Sequence, residues 1–130
     1  WKVNKCDQQV GTGNERRALI YALHNFEALG LTGGILHVNG KIVAFTFGMP
    51  INHETFGVHV EKADTSIEGA YAMINYEFAN RIPEQYIYIN REEDLGIEGL
   101  RKAKLSYQPA TILEKYMACL KEHPMNMVKW

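Results

Sequence analysis

The stretch Thr55-Phe56-Gly57-Val58-His59-Val60-Glu61-Lys62-Ala63-Asp64-Thr65-Ser66-Ile67-Glu68-Gly69-Ala70 turns from one periodicity to another within a few positions. From Thr55 to Glu61 the residues alternate. Phe56, Val58 and Val60 fall on one side and Thr55, Gly57, His59 and Glu61 on the other, which predicts a strand with two distinct faces. Thr65-Ser66-Ile67-Glu68 then fits a capping box, so a helix is expected from Thr65 to about Arg81, ahead of Pro83. Tyr86 to Asn90 reads as the next strand. A strand, helix and strand in that order favour parallel pairing through a right-handed crossover.

Upstream, Ile35 to Val38 and Lys41 to Phe47 are rich in β-branched and aromatic residues. Asn39-Gly40 between them supplies the positive φ angles of a two-residue hairpin turn. Asn14 to Leu29 places Ala18, Leu19, Ala22, Leu23, Phe26 and Leu29 on one helical face, with Gly30 as a stop. Downstream, Gly96 to Lys104 reads as a short helix, and Thr111 to Cys119 is assigned as a last strand. An antiparallel hairpin joined to parallel crossovers gives an α/β (α+β) domain, a mixed sheet with flanking helices.

The chain has 130 residues, 46% of them hydrophobic, enough for one domain with its own core. Its 14 basic and 15 acidic residues nearly cancel, which excludes an overall positive field for holding nucleic acid. Cys6 and Cys119 are far apart and lack the spacing of a zinc site or a redox pair, so both read as reduced thiols of a cytoplasmic protein. No apolar run is long enough to span a bilayer. The chain opens at Trp1 rather than Met, which reads as a piece of a longer protein.

Two polar segments are candidates for chemistry. In the first, a strand ends at Glu61-Lys62 and a helix begins, so free amides around Thr65, Ser66 and Gly69 could bind an anion. Gly69 in a first helical turn suggests close approach of a ligand or another segment. In the second, Asn90-Arg91-Glu92-Glu93-Asp94-Leu95-Gly96 leads into a basic helix where Arg101 and Lys104 share a face. Each has a plainer reading, an ordinary capped helix and a solvated charge run. Histidines form neither HxxxH nor HExxH, so no metal site is expected; His59 matters because it shares a predicted strand face with Glu61. No nucleophile elbow is present, and a covalent mechanism has no support.

The stretches His59-Val60-Glu61-Lys62-Ala63-Asp64, Glu68-Gly69-Ala70-Tyr71, Asn90 to Gly96 and Gly99-Leu100-Arg101-Lys102-Ala103-Lys104-Leu105-Ser106-Tyr107-Gln108-Pro109 resemble the C-terminal domain of the bacterial phosphatidylglycerol lysyltransferase superfamily. The resemblance runs from about Gly33 to Tyr116. It implies a GNAT-like acyl-CoA N-acyltransferase fold over residues 1–130, the C-terminal half of a longer tandem protein. In such folds two parallel strands splay and the acyl donor enters between them. The resemblance then implies transfer of an acyl or aminoacyl group from a CoA or tRNA donor to an amine or hydroxyl of a small-molecule or lipid acceptor. Glu61 is the expected base with His59 as helper, and Tyr107 the leaving-group acid. Lys62, Arg91, Arg101 and Lys104 are the expected anion holders, with Asn90 orienting substrate. The usual acetyl-CoA turn, Gln/Arg-x-x-Gly-x-Gly/Ala, is matched only at Gly69-Ala70, so acyl-CoA as donor and aminoacyl-tRNA as its alternative both stay open. The resemblance also implies an N-terminal GNAT-like half as partner, in the cytoplasm or peripheral to the inner membrane. The alternative is a non-catalytic half that supports that N-terminal domain or binds an anionic lipid or tRNA end.

Overall fold

The computed structural model describes residues 12–118, so Cys6 and Cys119 lie outside the described residues. These residues form two compact units, one ending at Glu93 and one starting at Asp94.

The first unit holds α1 (Thr12–His24), β1 (Thr32–Val38), β2 (Lys41–Pro50), β3 (Thr55–Ala63), α2 (Ala70–Ala79) and β4 (Tyr88–Asn90). The sheet order is β1-β2-β3-β4. The β1–β2 and β2–β3 pairs are antiparallel and β3–β4 is parallel, the mixed sheet expected. Asn39 and Gly40 both have positive φ, 50° and 77°, as a type I′ hairpin turn requires.

The core lies mainly between the sheet and α2. Ala44 and Ala63 pack with Ala70 and Ile74, while Phe56 and Val58 pack with Phe78. The α2 residues in these clusters recur at four-residue spacing, the single face a short helix can bury. On the other face α1 contributes Leu19, and the turn after it brings the Phe26 ring edge-on to Phe47 at 6.0 Å.

The pattern in β3 does not run straight through. Phe47 pairs with Val60 but Gly48 pairs with Val58, so β3 carries an extra residue, a bulge at His59. A bulge shifts the alternation by one position. Phe56 and Val58 before it and Ala63 after it all pack toward α2. His59 and Val60 instead line a groove with Ala18 and Leu19 of α1. The expectation that His59 and Glu61 share a face is therefore corrected: the bulge sends them to opposite faces. Gly48 lies beside this irregularity, where a Cβ would stand 1.9 Å from the Gly57 carbonyl oxygen.

The capping box is also corrected. α2 begins at Ala70, with Gly69 as its N-cap at φ 79° and no side-chain cap. Thr65 to Gly69 form turns instead, because Asp64 captures the local donors. Its Oδ1 accepts from the Ser66 amide at 2.9 Å and the Ser66 hydroxyl at 2.6 Å. A Cβ on Gly69 would meet nothing within 4 Å, so this glycine serves the left-handed backbone rather than a close approach.

In the second unit, α3 (Glu98–Leu105) matches the expected short helix, and none of its residues is buried. Residues 111–118 form neither strand nor helix, so the last strand is corrected over those residues.

Candidate active site

The β3–β4 ladder is short. It pairs Thr55 with Tyr88, Phe56 with Ile89 and Gly57 with Asn90, and ends there while β3 continues through the bulge to Ala63. Where the ladder ends, the chain after β4 reaches back to β3 through side chains. Arg91 Nη2 donates to Glu61 Oε1 at 2.9 Å on the α2 face. Glu92 Oε1 meets His59 Nδ1 at 2.5 Å on the other side. Two consecutive residues thus grip β3 around its bulge, one for each of the residues the bulge has sent apart.

Local geometry prepares this grip. The Asn90 side-chain oxygen accepts the Glu92 amide at 2.8 Å, an Asx turn that holds Glu92 at φ 58°. A left-handed non-glycine residue costs about 1–2 kcal/mol, so this conformation is one the surrounding contacts must support. Asn90 is therefore engaged in shaping the main chain.

Glu61 is nearly enclosed, its side chain 13% exposed, and both carboxylate oxygens are bonded. Arg91 takes Oε1, and Asn75 Nδ2 of α2 donates to Oε2 at 3.0 Å. Both oxygens are thus already occupied by donors. His59 has the better arrangement. With Nδ1–H donated to the Glu92 carboxylate, the neutral ring carries its lone pair on Nε2. The ring lines a groove of about 400 Å3 formed by Ala18, Leu19 and Ala22 of α1 with Phe47, Met49 and Val60 of the sheet. That volume lies within the ordinary range of small-molecule sites, roughly 300–1,000 Å3.

Within the first unit, the two expected anion holders take opposite faces of the sheet. Lys62 points to the α1 face and pairs with Glu15 at 2.7 Å, whereas Arg91 lies on the α2 face with Glu61. Arg101, Lys104 and Tyr107 belong to the second unit. There Arg101 Nε donates to Asp94 Oδ2 at 2.6 Å, and the hydrogen bonds from Arg101 and then from the Gly96 amide hold the Asp94 carboxyl below the usual aspartate range.

The turn before α2 spends part of its amides internally. Three amides are taken inside the turn: Ser66 by Asp64 Oδ1, Ile67 by the Asp64 carbonyl at 3.1 Å, and Ala70 by the Ile67 carbonyl at 3.3 Å. The Ser66 side chain, then its amide, keep the Asp64 carboxyl below its ordinary pKa. Thr65, Ser66 and Gly69 thus lie in turns organised by Asp64.

Sequence reasoning missed two participants. Asn75 sits unannounced in mid-helix, although a poor helix former there was a signal. Glu92 lay inside a quoted charge run with nothing to mark it from its neighbours. Among the described residues, no group of three His, Cys, Asp or Glu side chains could hold a metal, and no helix is long and apolar enough to cross a membrane.

Comparison with known proteins supports this architecture. The ribosomal-protein-alanine N-acetyltransferase from Brucella melitensis biovar Abortus 2308 is 16% identical. It superimposes with a TM-score of 0.59 over 78% of this chain and 79% of that one, which shows a GNAT-like fold. The crystal structure of a conserved protein of unknown function from Bacteroides thetaiotaomicron VPI-5482 is 97% identical, with a TM-score of 0.89. That match covers 92% of this chain and 40% of the other, so this chain spans about two fifths of that relative's length. Among curated proteins, none matches. The family model described as phosphatidylglycerol lysyltransferase, C-terminal, matches residues 3–119, and the chain belongs to that family.

Proposed function

We propose that this domain contributes the proton acceptor for transfer of an acyl or aminoacyl group to an amine or hydroxyl, with His59 as the base and Glu92 as its orienting partner. The observation that carries this reading is the 2.5 Å contact of Glu92 with His59 Nδ1, at a bulge where a parallel ladder ends beside a groove. A base turned by a carboxylate toward an open site is the arrangement that general base catalysis needs. His59 Nε2 takes the proton of the attacking amine or hydroxyl, and the new bond forms to the donor's carbonyl carbon. The carbonyl carbon then parts from its ester oxygen or thioester sulfur, which leaves with the proton from the imidazolium.

With the Ser66, Ile67 and Ala70 amides taken inside the turn before α2, fewer donors are left there for a diphosphate, which favours an aminoacyl ester over acyl-CoA. Glu61, first expected to be the base, is better used as an anchor for Arg91.

The test is single-turnover transfer by the full-length protein, with aminoacyl-tRNA and acyl-CoA as alternative donors and phosphatidylglycerol and an alkylamine as acceptors. His59→Asn should slow transfer by about 10²-fold or more at unchanged donor binding, since general base catalysis contributes 10²–10⁴. It should also abolish the rise in rate that follows imidazole deprotonation. An unchanged rate for His59→Asn would sink the reading and favour a non-catalytic, binding half, a role with which the ion-paired state of Lys62, Arg91 and Arg101 is compatible.

A further inference from the structure

We propose that Asn75 is a positioning residue for this site: through Glu61 and Arg91 it fixes the segment that brings Glu92 to His59. The role deepens the reading of His59 as base and rests on it for its functional meaning, while the structural linkage stands on its own geometry.

The chain of contacts is continuous. Asn75 Nδ2 donates to Glu61 Oε2 at 3.0 Å, and Arg91 Nη2 donates to Glu61 Oε1 at 2.9 Å. Arg91 is followed directly by Glu92, whose carboxylate meets His59 at 2.5 Å. Backbone pairing with β3 ends at Asn90, so side-chain contacts take over in locating the next two residues. Asn75 follows Ile74, which lies in the core cluster that seats α2 against the sheet. The amide is thus mounted on a rigid element, and it orders a carboxylate that in turn orders a guanidinium.

Asparagine is a poor choice for a helix interior on propensity alone, and a hydrocarbon would serve packing as well. What it supplies is a donor to a partly buried carboxylate. If the donor is lost, Glu61 keeps Arg91 but gains rotational freedom, and Arg91 with Glu92 can drift. Misplacement by about 1 Å of a group that orients a base can cost on the order of 10²-fold in rate.

The decisive variant is Asn75→Leu in the full-length protein, a change that keeps the branched side-chain skeleton, favours helix and removes the donor. Nitrogen-15 NMR of the histidine rings, assigned with His59→Asn, reads the tautomer of His59 without any substrate. In the parent the proton should sit on Nδ1. In Asn75→Leu the ring should become a mixture of both tautomers with a shifted titration, at a melting temperature within a few degrees of the parent, and Asn75→Gln should restore the parent spectrum in part. The rate of transfer should fall about 10- to 100-fold with KM nearly unchanged. An unaltered His59 tautomer and titration in Asn75→Leu would overturn the inference. A changed tautomer with an unchanged rate would uphold the linkage and sink His59 as the base, so the two failures are distinguishable. Should Asn75→Leu fold poorly, Asn75→Ala removes the donor without added bulk and is read in the same way.

Discussion

At the scale of the residue, Glu92 shows how a local cost accompanies a function. Its backbone is left-handed, its amide is tied to Asn90, and its carboxylate is set on His59. Replacing Glu92 with Gly should relieve about 1 kcal/mol or more of backbone strain and remove a half-exposed pair of similar or smaller worth. We therefore expect Glu92→Gly to change thermal stability little, as calorimetry would show, while transfer falls as far as in Glu92→Gln plus the added freedom of the loop. A large loss of stability would mean that the strain is not where the geometry puts it. His59 was legible in the sequence as a residue of interest and Glu92 was not, because a strand-end histidine stands out whereas one acid among several does not. Which acid turns inward depends on the Asx turn at Asn90, whose formation sequence spacing alone leaves undecided.

The bulge in β3 acts at the scale of the element. It divides His59 from Glu61, and it needs β2 to come close at Gly48, where a Cβ would lie 1.9 Å from a main-chain oxygen of β3. Gly48→Ala should therefore force the two strands apart and destabilise the fold by about 3 kcal/mol or more, at the upper end of the cost of overpacking. Chemical denaturation checks this, and a loss below about 1 kcal/mol would show that the strands yield easily. The second unit offers a pH test. Asp94, in the turn before α3, accepts hydrogen bonds from Arg101 of α3 and from the Gly96 amide. Because the folded-state pKa of Asp94 is depressed, its contribution is present above the unfolded value and is lost as the pH falls through the folded one. Amide exchange of α3 should accelerate as the pH drops below about 4, after correction for intrinsic rates, and Asp94→Asn should show the faster exchange already at neutral pH. Equal protection in both proteins at pH 7 would show that the turn does not support α3.

Across the whole molecule, charge is balanced at a formal net of −1, and several basic residues of interest already face carboxylates. The 130-residue chain should bind a bare tRNA no more tightly than nonspecific contacts allow, on the order of 10⁻⁴–10⁻⁶ M, with a shallow dependence on salt. Fluorescence anisotropy at two salt concentrations measures this; tight binding with a steep slope would reveal a basic surface that these pairings hide. By itself the sequence determined the hairpin, the order of elements from α1 to α3 and the parallel return of β4. Those follow from local turn chemistry and periodicity, which a short window of residues contains. Only the tertiary structure decided which face each site residue takes, where α2 begins and which carboxylate meets which base. Asp64 took the Ser66 amide and hydroxyl where Thr65 and Glu68 were expected to start a helix, and the His59 bulge reversed an alternation that reads unbroken along the chain. Both outcomes come from competition among partners distant or ambiguous in sequence: Glu61 meets Asn75 and Arg91, which neighbour one another only when α2 packs on the sheet and β4 returns beside β3.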